Sequence, residues 1–224
     1  HLHKPLSIGN TAQITTDSRK AFYSVFNNKF TTYPGLSFVS NTFTVMPRYR
    51  FTDRFSLFYQ LGFTRVKNDY GWVNTLPSEN NDQDIYFGRR NVQTVNSILS
   101  GKYIFNTKLI ATVRLRHYWS EVEYIDFHQL LKSGLLENST YTGSHNLNFN
   151  TFTGDLQLIW YFAPGSELSV VYKDAISTLD ESVAENYFRN LADVVDSPMA
   201  RSFSLRVLYY IDYGTMKSKL IRKK

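Results

Sequence analysis

Apolar and polar residues alternate over nine runs of 11 to 16 residues in this 224-residue chain, and that alternation restricts the fold more than any other feature. In the last run, residues 202 to 213, the odd positions Phe203, Leu205, Val207, Tyr209, Ile211 and Tyr213 are all apolar or aromatic. Ser204, Arg206 and Asp212 share the other face with Leu208 and Tyr210. Side chains of a strand point alternately to opposite faces, so each run has one side suited to hydrocarbon and one suited to water. Long strands of this kind, closed into a ring, are one of the two ways a backbone can cross a bilayer.

The alternation predicts strands near 5–15, 20–30, 36–50, 54–66, 91–105, 109–124, 147–162, 167–177 and 201–213. Clear cases are Phe55, Leu57, Tyr59, Leu61 and Phe63 against Ser56, Gln60, Gly62 and Thr64, and Leu109, Ala111, Val113 and Leu115 against Thr112, Arg114 and Arg116. Tight turns are expected at Thr16 to Arg19, at Phe51-Thr52-Asp53, at Asn106-Thr107-Lys108 and at Ala163-Pro164-Gly165-Ser166. A modest link is expected at Thr31 to Gly35, and long loops at 67–90, 125–146 and 178–200. Short turns at one end and long loops at the other are the layout of an outer-membrane barrel.

A soluble β-sandwich also has strands with one apolar face. Three features favour the membrane. The strands exceed the usual five or six residues of globular sheets and reach the length that a tilted strand needs to cross a bilayer. Aromatics gather beside the short turns (Tyr49, Phe55, Tyr103, Phe105, Trp160, Phe162) and near the end of the chain (Tyr209, Tyr213), as an interfacial girdle would. The polar face carries full charges, namely Arg48, Arg114, Arg116, Asp155, Lys173 and Arg206, which suit a wet or salt-bridged lumen. The expected fold is therefore an all-β antiparallel transmembrane β-barrel of about eight or nine strands in this chain. Residues 1–214 form the barrel and 215–224 a basic tail.

Composition bounds the alternatives. Sixteen Tyr, 17 Phe and 3 Trp accompany a slightly polar mean hydropathy. The longest uninterrupted apolar run is Leu158 to Ala163, far short of the 18 or so residues of a spanning helix. With no cysteine there is no disulfide framework, thiolate zinc site or thiol nucleophile. Of the 25 basic residues, Lys217, Lys219, Arg222, Lys223 and Lys224 lie in the tail; the other 20 nearly balance 19 acidic ones. The net charge of +6 is thus a cationic end rather than a nucleic-acid surface. No charged-then-apolar leader opens the chain, as in a processed chain or a piece of a longer one. With the C-terminus and the short turns on the periplasmic side, an odd count of nine strands puts residue 1 on the outer side. Upstream strands are the expected resolution; eight strands without residues 1–16 are the other.

Four segments carry a resemblance: Ile85-Tyr86-Phe87-Gly88-Arg89-Arg90, Leu115-Arg116-His117-Tyr118-Trp119-Ser120, Trp160 through Leu168, and Leu208-Tyr209-Tyr210-Ile211-Asp212-Tyr213. Over roughly residues 80–214 the chain resembles the C-terminal region of a family of uncharacterised proteins from the Bacteroidota, domain-of-unknown-function family 5916. The resemblance implies an outer-membrane-associated barrel that follows a β-sandwich similar to family 9 carbohydrate-binding modules, a sandwich these residues do not include.

Candidate chemistry is sparse. His117, Ser120, Glu121 and Glu123 suggest a hydrolytic cluster, but on a strand His117 and Ser120 point to opposite faces. His1 and His3 have ligand-like spacing without carboxylate support, and the acidic loop Ser78–Asp84 lacks the glycine and closing glutamate of an EF-hand, so no metal or cofactor is expected. Tyr70, Trp72, Tyr124, Phe127 and Tyr141 could stack on sugar rings or simply form a rim. Residues 179–195 read as an amphipathic helix with a capping box at Thr178 and Glu181, burying Val183, Tyr187, Leu191, Val194 and Val195 over the barrel mouth or against a partner protein. Arg114 and Arg116 stand at about the height of Asp155 on the next strand, within reach of a salt bridge. The functional expectation is a non-enzymatic outer-membrane barrel, an anchor or narrow channel whose partners are the lipid bilayer and other outer-membrane proteins, not nucleic acid. The alternatives are an outer-membrane hydrolase of lipid or glycan and a soluble carbohydrate-binding sandwich.

Overall fold

The computed structural model describes residues 2, 5–78, 83–183 and 186–211. They form β1 (Ile8–Thr15), β2 (Phe22–Tyr33), β3 (Phe38–Arg50), β4 (Phe55–Pro77), β5 (Gln83–Asn106), β6 (Leu109–Leu130), β7 (Leu136–Asn138), β8 (Leu147–Ala163), β9 (Ser166–Asp180), α1 (Tyr187–Val195) and β10 (Ala200–Leu208). All ten strands belong to one antiparallel sheet in the order β1-β2-β3-β4-β5-β6-β8-β9-β10, with the short β7 pairing only β6. Among the described residues β1 and β10 are edges and do not meet, so the sheet is not closed.

The tight turns fall where the sequence places them. Pro164 and Gly165 connect β8 to β9, and Gly165 adopts φ of +69°, the left-handed conformation that the third residue of a type II turn requires.

Of the expected long loops, 67–90 is largely strand, while 125–146 and 178–200 are strand only in part. β4 and β5 continue as a paired hairpin to Pro77 and Gln83, β6 runs on to Leu130 where β7 joins it, and β9 extends to Asp180. The extension of β4 and β5 hides from the sequence for a physical reason. Register shifts between Val66 and Asp69, between Trp72 and Asn74 and between Arg89 and Arg90 reset which face each residue occupies. Asn68 takes φ of +54° at the first of these. The final strand ends at Leu208 rather than 213; Tyr213 and the basic tail lie outside the described residues.

There is hardly a core. Among the described residues only Val95, Trp119, Val122, Ile176 and Val194 are buried hydrophobics. A soluble domain of this size should bury about two-thirds of its unfolded-chain surface around such residues.

Candidate functional site

Register partners share a face, so the ladder assigns every strand residue to one of two sides. One row of partners runs Phe203, Tyr172, Leu156, Val113, Gly101, Leu57, Tyr49, from β10 back to β3, and defines the apolar side. The next row of the opposite side runs Lys173, Asp155, Arg114, Ser100, Phe58, Arg48 and defines the polar side.

The exposure of the two sides is the inverse of that in a soluble sheet. Along β3, Val39 and Phe43 are exposed while Ser40, Thr42 and Thr44 are half-buried; along β8, Leu156, Leu158 and Trp160 are exposed while Asp155, Gln157 and Ile159 are half-buried. Crowding on the polar side and splaying on the apolar side are what a sheet curled with its polar side inward produces. Leu156 is 48% exposed, with no element among the described residues covering it.

The apolar band also runs obliquely across the hydrogen-bonded rows. Phe203 heads the run Phe203, Leu205, Val207 on β10, with Arg201 beyond it; Tyr49, in the same row, is the lowest strand residue of the run Tyr49, Pro47, Val45, Phe43 on β3. Over the six strand steps between them, about 29 Å at roughly 4.8 Å each, the band shifts by the six residues from Tyr49 to Phe43, about 20 Å. The strands are therefore inclined by about 35° to the normal of the band, within the range of strands in transmembrane barrels. Its loop-side limit on β9 and β10 is a register pair of opposite charges, Asp174 and Arg201, 3.7 Å apart.

Along the turn-side limit the rings touch in sequence. Phe22, Tyr49, Phe51, Phe55, Tyr103 and Phe105 form one chain with centroid separations of 4.4 to 6.3 Å, and Trp160, Phe162 and Tyr209 form a second. Phe51, which links strand to strand, is absent from the sequence-derived girdle because it sits in a turn rather than in the alternation.

On the polar side Asp155 accepts from Arg116 at 2.5 Å and lies 3.7 Å from Lys173, while Glu167 pairs with Arg206. Arg114 is the register partner of Asp155 but makes no ion pair with it among the described residues. Arg48 makes one long contact, 3.5 Å, with the Tyr23 hydroxyl.

Above the band each side carries a separate layer. On the apolar side α1 packs against β8 and β9, so it leaves the polar side uncovered, contrary to a lid over a barrel mouth. Its cap is Asn186, whose side chain accepts from Phe188 N, not the expected Thr178 and Glu181, because β9 continues through Thr178 to Asp180. Val183 precedes the helix, half-buried; Tyr187 and Leu191 are half-buried, Asn190 and Val194 buried, and Val195 exposed. Buried amides fasten the helix: Asn190 Nδ2 donates to Asn150 Oδ1 (2.5 Å), Asn150 Nδ2 to Asn190 Oδ1 (3.0 Å), and Trp119 Nε1 to Asn148 Oδ1 (2.8 Å). His117 lies between Asn150 Oδ1 (3.3 Å) and the Tyr187 hydroxyl (3.1 Å). An amide oxygen only accepts, so a neutral His117 donates from Nε2 and receives the Tyr187 proton at Nδ1. Burial pushes the Tyr187 phenol above its usual pKa, which keeps that proton in place. His117 is thus a fastener of α1. Ser120, its tempting partner, lies on the opposite side against Thr94 at 3.2 Å.

On the polar side Tyr124, Phe127, Tyr141, His145 and Tyr86 pack ring on ring, with centroid separations of 4.7 to 6.0 Å. Three of the five aromatics considered for sugar stacking therefore cover one another; Tyr70 packs on His128, and Trp72 stays 60% exposed. Arg90 donates to Asp69 Oδ2 (2.9 Å) and to the Tyr124 hydroxyl (3.0 Å), while Arg89, facing the other side of the sheet, pairs with Asp126. The His1/His3 pair and most of the acidic loop, Glu79 to Asp82, lie outside the described residues; among those described, no group of three metal-ligating side chains forms.

One family model matches residues 1–220, nearly the whole chain, and its description is Domain of unknown function (DUF5916). The chain belongs to this family. Membership thus reaches β1 to β4, beyond the segments that carry the resemblance in the sequence. Neither the curated proteins nor the solved structures contain a match.

Proposed function

We propose that this DUF5916 chain is a non-enzymatic outer-membrane β-barrel, serving as a membrane anchor or narrow channel, alone or within a larger outer-membrane assembly. The observation that carries this reading is the exposed apolar side, a band whose normal lies about 35° from the strands, while the polar-side residues between the exposed ones on β3 and β8 are half-buried. Water disfavours so continuous an uncovered apolar surface, whereas lipid tails are its natural solvent. The aromatic chain at the turn-side limit and the Asp174–Arg201 pair at the other fit the two interfaces of a bilayer. In lipid the open edges of β1 and β10 must be paired, with each other or with additional strands, because unsatisfied backbone groups are costly there.

The test is refolding into detergent micelles and lipid vesicles. A chain that migrates faster on gels when unheated, and whose strands resist protease in vesicles, supports the proposal. A monodisperse, folded protein in buffer without detergent overturns it.

A further inference from the structure

The charge of the polar side is uneven in a way the total composition conceals. On its turn-side half the strand carboxylates are Asp155 and Glu167, and each is already engaged, by Arg116 with Lys173 and by Arg206. Lys29, Arg48, Arg50, Lys102 and Arg114 occupy the same side with no ion-pair partner among the described residues. Two of these cations converge. Arg48 and Lys102 line one depression together with the hydroxyl residues Tyr23, Ser56, Ser100 and Thr112. The ladder explains the convergence: Ser56, Lys102 and Thr112 are successive partners in one row, and Arg48, Phe58, Ser100 and Arg114 in the next.

We propose that this depression binds a small multivalent oxyanion, such as a phosphate or sulfate or a solute bearing such a group. The inference rests on the barrel reading for its lumenal setting, though not for the site itself. A guanidinium offers a planar fork of donors, an ammonium a compact point charge, and four hydroxyls complete the shell of a tetrahedral anion. Among the described residues Arg48 is held only by the long contact to Tyr23, which leaves its fork free to turn toward a ligand. Lys102 stands one row from Arg114, and a divalent anion would relieve the repulsion between them. Apolar Phe58 forms the floor beside Arg48, which weakens competition from water.

The experiment is thermal unfolding of the refolded chain in sodium phosphate against sodium chloride at matched ionic strength, on wild type, Lys102→Gln and Arg48→Gln/Lys102→Gln. Phosphate is expected to raise the wild-type midpoint by several degrees, to do so by about half as much in Lys102→Gln, and to leave the double variant within a degree of its chloride value. An equal phosphate shift in wild type and Lys102→Gln, or none in wild type, overturns the proposal; Lys102→Gln carries this comparison should the double variant not fold. Heat-modifiable mobility in chloride alone reports on the barrel reading separately. A chain folded without detergent would fail that reading, and the same titration would still decide the anion site.

Discussion

Gly71 and Gly88 are register partners in the β4–β5 ladder, and the space where their side chains would project is filled by the Arg90 guanidinium over one and the Tyr124 ring over the other. A Cβ on Gly88 would lie 2.3 Å from the Tyr124 ring and 3.0 Å from Val73; a Cβ on Gly71 would lie 2.3 Å from Arg90 Cζ. The pair leaves bare backbone on which the aromatic cluster and the Arg90–Asp69 pair settle. Gly88→Ala should therefore destabilise the extended hairpin by about 1–3 kcal/mol, the usual range for overpacking. In a Tyr124→Ala background the same substitution should cost much less, because the clash is with that ring. A double-mutant cycle on hairpin protease resistance checks the coupling.

The hold on α1 is polar, and buried polar contacts fail abruptly when one partner goes. Asn190→Ala leaves Asn150 with its Oδ1 and Nδ2 short of a partner in a site from which water is excluded. The expected cost is about 1–3 kcal/mol of local stability. The readout is protease cleavage between residues 181 and 199, accelerated about ten-fold or more while the sheet stays intact. Unchanged cleavage would show that Val194 and Tyr187 hold the helix alone.

Strand content and the two faces were legible in the sequence because alternation survives wherever one side must be apolar: Phe55 to Phe63 and Trp160 to Leu156 need no structure to be read. Legibility fails above the band. From Val66 on β4 and below Arg90 on β5, neither side has to be apolar and the bulges break the period, so an antiparallel hairpin looks like a polar loop. The α1 network was hidden for another reason. His117, Asn148 and Asn150 continue the apolar side of their strands, and only the docked helix turns those polar residues into buried ones. Asn148 and Asn150, two apart on a strand and replacing apolar residues on the side of Phe152 and Leu156, were the available signal.

Asp155 is the shared anion of Arg116 and Lys173, and its own side chain is 19% exposed while theirs are 42% and 56% exposed. Solvent screening keeps each contact modest, so Asp155→Ala should cost about 1–2 kcal/mol rather than the amount typical of a fully buried pair. Lys173, in the row of Arg114, and Arg116, one row away, would then be unpaired cations beside it. The melting temperature of the variant should fall by a few degrees and recover partly in high salt, which screens the new repulsion. A melting temperature equal to wild type at low salt would show the pair to be inconsequential.

Leu156 and Gln157 are adjacent on β8 and face opposite sides, and they separate the lipid reading from every soluble one. At an exposed position of a soluble protein, Leu→Arg falls within about 0.5 kcal/mol of neutral. On the lipid face of a barrel, near mid-membrane, it costs about 2–4 kcal/mol. Leu156→Arg should therefore block insertion or sharply lower the yield of heat-modifiable protein in vesicles. Gln157→Arg, one residue away on the polar side, should insert like wild type. Equal insertion by the two variants would mean that no hydrocarbon touches Leu156, and the apolar side would then need a protein partner instead. The contrast isolates the side of the sheet from the charge itself, since both variants gain one arginine at nearly the same height.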